Sequence, residues 1–273
     1  MNLSFVQPRP ELRPYIKSIW VFESALGMPP ADTSLAAPNG CPKLIILCEN
    51  SLESTVEGRV QVSREGLYFV GNRDSSALIR SSSRKTRFIG IEFSPHGAFP
   101  VFGIPMQETV NHLFSAEELF GPWGREVWEN LLNMEEVGQK LHFIQDELVR
   151  LLRENQRDNA LIDFCVRTLE LVHGRMAIKE LERKAGYTRR YLDLLFSQHV
   201  GFAPKVLAGI FRFQRFYRQW ARGLPYDSLR DELYDYYYDQ AHFTKEFKRM
   251  TGYSPQKFTL EVTNEFGRLL CLN

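Results

Sequence analysis

The chain has 273 residues, 44% hydrophobic and 25% charged, with a formal net charge of +1, a length for about two domains with ordinary globular cores. No apolar run approaches the roughly 18 residues of a membrane helix. Met1-Asn2-Leu3-Ser4 lacks the basic-then-apolar layout of a signal peptide, and the cysteines (Cys41, Cys48, Cys165, Cys271) fit neither a disulfide framework nor a zinc site, so a cytoplasmic protein is expected. The near-neutral total hides an asymmetry. Residues 157–257 hold 18 Lys/Arg against 12 Asp/Glu, leaving 16 against 21 elsewhere. A basic part joined to a mildly acidic one suits a nucleic-acid-binding module attached to a different one.

In chain order, residues 18–23, 43–48, 67–70, 77–80 and 88–93 are rich in β-branched and aromatic types, and Gly, Pro, Asn and Asp clusters such as Gly71-Asn72-Arg73-Asp74 separate them. Short strands at this spacing predict a small sandwich or barrel. Trp20, Phe22, Phe69 and Phe93 would then line its interior, as packed core or around an apolar molecule. Helices follow. Ser115 and Glu118 have capping-box spacing, and residues 123–132 and 137–154 carry apolar residues at helical intervals. The helix at 137–154 would pack on its own sheet or dimerise. The polar stretch 153–159 reads as a linker, dividing the chain into 1–154 and 155–273.

Beyond it, residues 176–185 carry Ile178, Leu181 and Ala185 at helical spacing, and Gly186-Tyr187-Thr188 opens a second amphipathic run. Leu192, Leu195, Phe196 and His199 share one face of that run; Arg189, Arg190, Asp193, Leu194 and Ser197 share the other. After Gly201 and Pro204, residues 205–221 form a connector of roughly 25 Å at 1.5 Å per residue. A short helix is expected at 228–235. Asp239 then suits an N-cap, with Phe243, Phe247 and Met250 on a buried stripe and Gln240, Ala241, Thr244, Lys245 and Lys248 opposite. His242 is expected to be buried in that helix. Gly252 and Ser254-Pro255 mark its end and the start of another.

Asp239-Gln240-Ala241-His242-Phe243, Phe247-Lys248, Thr251-Gly252 and Ser254-Pro255 together resemble the C-terminal signature of the AraC/XylS family of bacterial transcription regulators. Residues 186–205 and Arg212-Phe213-Gln214-Arg215 are similar to the same pattern. Gly71-Asn72-Arg73, residues 90–95 and Gly103-Ile104-Pro105 resemble, more weakly, the cupin-like N-terminal halves of such proteins. The resemblance implies an α+β chain: a small cupin-like β-barrel or sandwich with helices (1–154, effector-binding or dimerising), then an all-α domain with two helix-turn-helix units (155–273, DNA-binding). It implies operator DNA, a small-molecule effector, a second copy of the chain and RNA polymerase as partners.

By family position, Arg190, Asp193 and Leu194 in the first unit and Gln240, Ala241, Thr244 and Lys245 in the second would approach bases. Arg189, Lys248 and Arg249 would hold phosphates, and Asp193 would accept from cytosine, orient Arg190 or stay solvated. Tyr236 stands where the family has a turn glycine, Asp231, Glu232 and Glu182 where it has apolar or small residues, and Leu194 where a polar reader is common. These departures keep a second reading open, a ligand-binding or interaction protein with degenerate helix-turn-helix units.

An enzyme is not expected. The six histidines include no His-x-His, and there is no G-x-S-x-G, H-E-x-x-H or P-loop, so no catalytic residue, metal or cofactor is assigned. Cys41 and Cys48 leave a redox role open.

Overall fold

The structure is a computed structural model that describes residues 1–28, 32–155, 157–224, 236–237 and 239–271. The helix expected at 228–235, with Asp231 and Glu232, lies outside the described residues.

Among the described residues ten strands form two sheets. The larger has the order β1 (Asn2–Val6), β2 (Ile16–Ser24), β9 (Thr86–Phe93), β4 (Lys43–Glu49), β7 (Gly66–Val70), β10 (Leu113–Ser115); the smaller has β3 (Leu35–Ala36), β8 (Ala77–Ser81), β5 (Leu52–Val56), β6 (Arg59–Ser63). All pairings are antiparallel. Register explains how each face is used. Ile19 pairs with Ile91, Ile91 with Leu44 and Leu44 with Phe69, whereas one residue along Trp20 pairs with Gly90, Gly90 with Ile45 and Ile45 with Tyr68. Because side chains alternate along a strand, the first row belongs to the core under the helices and the second faces the smaller sheet. The expected common lining is therefore split: Trp20 and Phe22 lie inside the barrel, while Phe69 and Phe93 pack on the other face of the sheet. Gly90 makes the inside arrangement feasible, since a Cβ there would stand 2.1 Å from the Trp20 ring.

Helices α1 (Ala98–Phe102), α2 (Ala116–Phe120), α3 (Pro122–Leu132) and α4 (Val137–Asn155) cover the outer face, and α2 carries the expected capping box. Ile144 and Leu148 of α4 are fully buried in the core shared with Phe93 and Ile91, so α4 packs on its own sheet. The stretch read as a linker is anchored rather than free. Arg157 donates to Gly103 O at 2.7 Å, and Tyr15 donates to the Asp158 carboxylate at 2.7 Å.

The rest is helical: α5 (Ala160–Leu171), α6 (Ile178–Ala185), α7 (Arg189–Val200), α8 (Pro204–Ala221), α9 (Gln240–Thr251), α10 (Pro255–Glu261) and α11 (Glu265–Cys271). Over its 18 residues, about 27 Å, α8 is the shared spine. Leu207, Ala208 and Phe211 belong to the core under α7, whereas Ile210, Phe213, Phe216 and Tyr217 belong to the core under α9.

The two halves interpenetrate, which sequence periodicity does not reveal. Phe266 of α11 is 3% exposed and enters the barrel, edge-on to Phe22 at 5.6 Å. Just before α11, buried Asn264 accepts from Leu35 N at 2.7 Å and donates to Leu35 O at 2.9 Å, acting as a strand partner for β3. Asp32 caps the helix, accepting from Glu265 N. No single helix among the described residues is long and apolar enough to cross a membrane.

Candidate nucleic-acid interface

The first unit, α6–α7, is built as the sequence implies. Leu181, Leu192, Phe196 and Val200 are wholly buried, Gly186 supplies the left-handed turn at φ 73°, and the Thr188 hydroxyl accepts from Tyr191 N at 3.4 Å to cap α7. This leaves Arg189, Arg190 and Leu194 exposed, with Asp193 half-buried beside them. Asp193 pairs with Arg189 at 3.6 Å, one helical turn back, rather than with Arg190. Tyr187 and Tyr191 stack at 4.9 Å on the same exposed end; their four-residue spacing is the signal that could have singled them out.

In α9 the Asp239 carboxylate accepts from His242 N at 2.7 Å. Phe243, Phe247 and Met250 are buried against Phe213, Phe216 and Phe258. Gln240, Ala241, Lys245, Lys248 and Arg249 are exposed, and Thr244 is half-buried. His242 is exposed too, contrary to the expectation of burial. It lies off the Phe243/Phe247 stripe, and its ring meets that of Tyr237 edge-on, at 5.6 Å between centroids. Tyr237 is buried beneath α9 under the Arg212 guanidinium, and Arg212 also pairs with Glu246 at 3.2 Å and donates to Gly174 O at 2.8 Å. That buried network fixes α9 on α8.

One loop of the barrel reaches both of these helices. Residues 71–76 cross from β7 in one sheet to β8 in the other. Within them the Asn72 amide donates to Val200 O, the last residue of α7, at 2.8 Å. Ser76 N donates to Met250 O, in the last turn of α9, at 2.9 Å. Asp74 pairs with Arg249 at 3.0 Å and accepts from the Asn111 amide at 2.9 Å. Terminal helix carbonyls lack intrahelical donors, and the loop supplies them. Four Cα steps and an amide side chain hold those two helix ends within about 25 Å of each other. In the sequence, 71–74 reads as turn punctuation and, in Gly71-Asn72-Arg73, as part of the weaker N-terminal resemblance, and a polar loop gives no sign of which carbonyls it serves.

Further contacts join α7 to the barrel. His199 is 4% exposed and its ring lies 4.2 Å from that of Phe99 in α1. Burial, reinforced by nearby His96, pushes its pKa down to about 4. Where the halves meet, a cleft of about 380 Å³ collects Lys17, Arg218, Arg222 and Glu170. Lys43 at its edge is bound to Glu92 at 3.3 Å and to Asn39 at 3.1 Å. Burial opposes the Glu92 charge, but Lys43, Lys17 and the Asn39 amide outweigh it and hold the carboxyl below its ordinary range. Burial drives the Cys41 thiol up to about 11 and raises that of Cys48, so neither is an activated thiolate. Among the described residues no group of His, Cys, Asp and Glu could hold a metal ion.

Residues 4–115 match a family described as "Domain of unknown function (DUF6597)". No curated protein matches the chain. Among solved structures it is similar to ToxT from Vibrio cholerae bound to (E)-4-(8-methylnaphthalen-1-yl)but-3-enoic acid, at 11% identity and TM-score 0.49, with 89% of this chain and 99% of that one covered. It is similar to the unsaturated fatty acid-bound form of ToxT at 8% identity and TM-score 0.46, over 94% and 98% of the two chains. The cupin domain of Schizosaccharomyces pombe Cnp3 is similar over 34% of this chain and 59% of its own, at 14% identity and TM-score 0.27. Within its described residues the chain has the α+β architecture that the AraC/XylS resemblance implies: a two-sheet barrel with covering helices, then an all-α part carrying one complete helix-turn-helix and a second recognition-type helix on the same spine.

Proposed function

We propose that this chain is a sequence-specific, DNA-binding transcription regulator of the AraC/XylS type. Residues 155–273 bind duplex DNA through α7 and α9, and residues 1–154 set when they do so. The observation that carries this reading is the pairing of two capped helices on one spine. Each buries its apolar stripe and exposes most of its polar and cationic face, although Arg249 pairs with Asp74 of the barrel.

Helix-turn-helix docking brings the N-terminal residues of such a helix to base edges in the major groove, which recurs every ~34 Å. Arg190, Asp193 and Leu194 then approach bases from α7, and Gln240, Ala241, Thr244 and Lys245 from α9. Lys248, Arg249 and Arg189 hold phosphates. Tyr187 and Tyr191 add an aromatic surface beside Arg190. A small molecule is the expected signal; a second copy and RNA polymerase are the expected protein partners. We assign the chain no catalytic role.

Purified full-length protein tested for footprints on genomic duplex fragments should protect discrete sites, with retention falling steeply as salt rises. Failure to retain any fragment at low salt overturns the reading.

A further inference from the structure

We infer that Leu194 reads the C5-methyl group of thymine, so that α7 selects its half of the DNA site by an apolar contact while α9 selects by hydrogen bonds. This selectivity rests on the regulator function proposed above and adds what the first helix discriminates.

The first two turns of α7 present an apolar patch in a cationic frame. Leu194 is 64% exposed there, and Tyr191, three residues earlier on the same side of the helix, is 45% exposed. Tyr187, stacked on Tyr191 at 4.9 Å, extends the patch and is 48% exposed. A single exposed leucine is ordinary; a leucine continued by two stacked rings is not. Around them stand Arg183 and Lys184 in the last turn of α6 and Arg189 and Arg190 at the start of α7, all exposed. Asp193, the carboxylate beside Leu194, is paired with Arg189 at 3.6 Å. Positive charge on both flanks suits a phosphate backbone on either side of an apolar contact. No large apolar side chain is exposed on α9, whose open face carries Gln240, Ala241, Lys245 and Lys248.

Base edges in the major groove offer hydrogen-bond donors and acceptors, and thymine adds a methyl group. A leucine side chain neither donates nor accepts. Against guanine, adenine or cytosine it would displace water from polar atoms and return no bond, which is unfavourable. Against thymine it covers one apolar group with another, and both leave water. Burying a single methyl-sized group changes affinity by about fourfold. The contact recognises the methyl rather than the rest of the base. A 5-methylcytosine at the same place satisfies Leu194 as thymine does, so α7 responds to cytosine methylation there.

The test uses the full chain and a genomic duplex that it protects, with thymines replaced one at a time by deoxyuridine. Deoxyuridine keeps the O4 acceptor and the base pairing and loses only the methyl. Fluorescence anisotropy should show one or two adjacent positions where the parent chain binds about fourfold more weakly. Leu194→Ala should remove the thymine–uracil difference at those positions, whereas Gln240→Ala should keep it. With cytosine in place of that thymine, methylating the cytosine should tighten binding by the parent and leave Leu194→Ala unchanged. Leu194 is exposed, so the variant should melt close to the parent and remain a fair comparison. A parent chain indifferent to every deoxyuridine overturns the inference, as does a difference that persists undiminished in Leu194→Ala. Affinity lost equally for thymine and uracil duplexes in Leu194→Ala would assign the leucine to a protein contact or to packing, and overturns it too. Retention of no duplex at all sinks the regulator reading itself, an outcome distinct from binding that ignores the methyl.

Discussion

Asp74 and Arg249 pair at 3.0 Å across the boundary between the barrel and the second recognition-type helix. Arg249 is one of the residues proposed to hold phosphate, and on that reading the Asp74 carboxylate occupies the place of a DNA backbone oxygen. The pair is partly exposed, at 43% and 33% of the side chains, a setting worth about 0.2–1 kcal/mol. Asp74→Asn should therefore strengthen DNA binding by no more than about fivefold. The effect should appear for all sequences alike and raise the steepness of the salt dependence, measured by fluorescence anisotropy on duplexes. Unchanged affinity and slope would mean that Arg249 does not meet phosphate.

Gln240 and Lys248 lie on the same exposed side of α9 but are assigned different work. An amide can pair bidentately with adenine, so Gln240→Ala should relax base preference at one operator position, by about 1–3 kcal/mol. Lys248→Ala should weaken every sequence and lower the salt slope by about one unit. Competition against a library of single-base operator variants reads both. If each substitution leaves binding untouched, the assignment of α9 is wrong.

The pH response of the α7 contact follows from His199. Its folded pKa of about 4 lies below the ordinary value of 6.5, so the unfolded chain takes up the proton first as pH falls. The stability contributed by the neutral, buried imidazole is present above about pH 6.5 and is lost progressively as pH falls towards 4. Burial displaces His96 in the same direction, and its ring faces Asp163 at 3.5 Å. Thermal melts of the parent chain should decline more steeply over this window than those of His199→Phe, which keeps a ring against Phe99. Parallel pH curves for the two proteins would remove His199 as a cause.

How far the sequence could be read depended on whether the signal was local. The caps Ser115, Thr188 and Asp239, the left-handed Gly186, Gly201 and Gly252, and the stripes of α7 and α9 all act within a few residues, and all are found where periodicity and capping chemistry put them. The exposed faces carrying Arg190, Gln240 and Lys245 follow from the same stripes. What stayed hidden was set by partners far away in the chain. Phe69 and Phe22 are equally aromatic, and only strand register sends one under the helices and the other into the barrel. His242, expected to be buried, is exposed although its neighbour Phe243 is buried, because one position along a helix turns the side chain off the stripe. Nothing near Asn72 or Asn264 hints that one holds the end of α7 and the other pairs with β3, because both bonds span more than a hundred residues.

The docking of α11 gives the sharpest stability test. Phe266 is 3% exposed and contacts Phe22 and Phe88 inside the barrel, whereas Leu260, one helix earlier, is 77% exposed. Removing a buried phenyl ring costs about 3–5 kcal/mol where the surroundings cannot collapse, and less where they can. A helix of only seven residues is able to shift, so Phe266→Ala should cost about 2–3 kcal/mol, at or below the lower end of that range. Leu260→Ala should stay within about 0.5 kcal/mol of the parent, as exposed positions do. Urea unfolding of the full chain measures both. A Phe266→Ala protein as stable as Leu260→Ala would mean that α11 does not close the barrel in solution. The barrel interior around Phe22 and Phe88 would then be open to solvent.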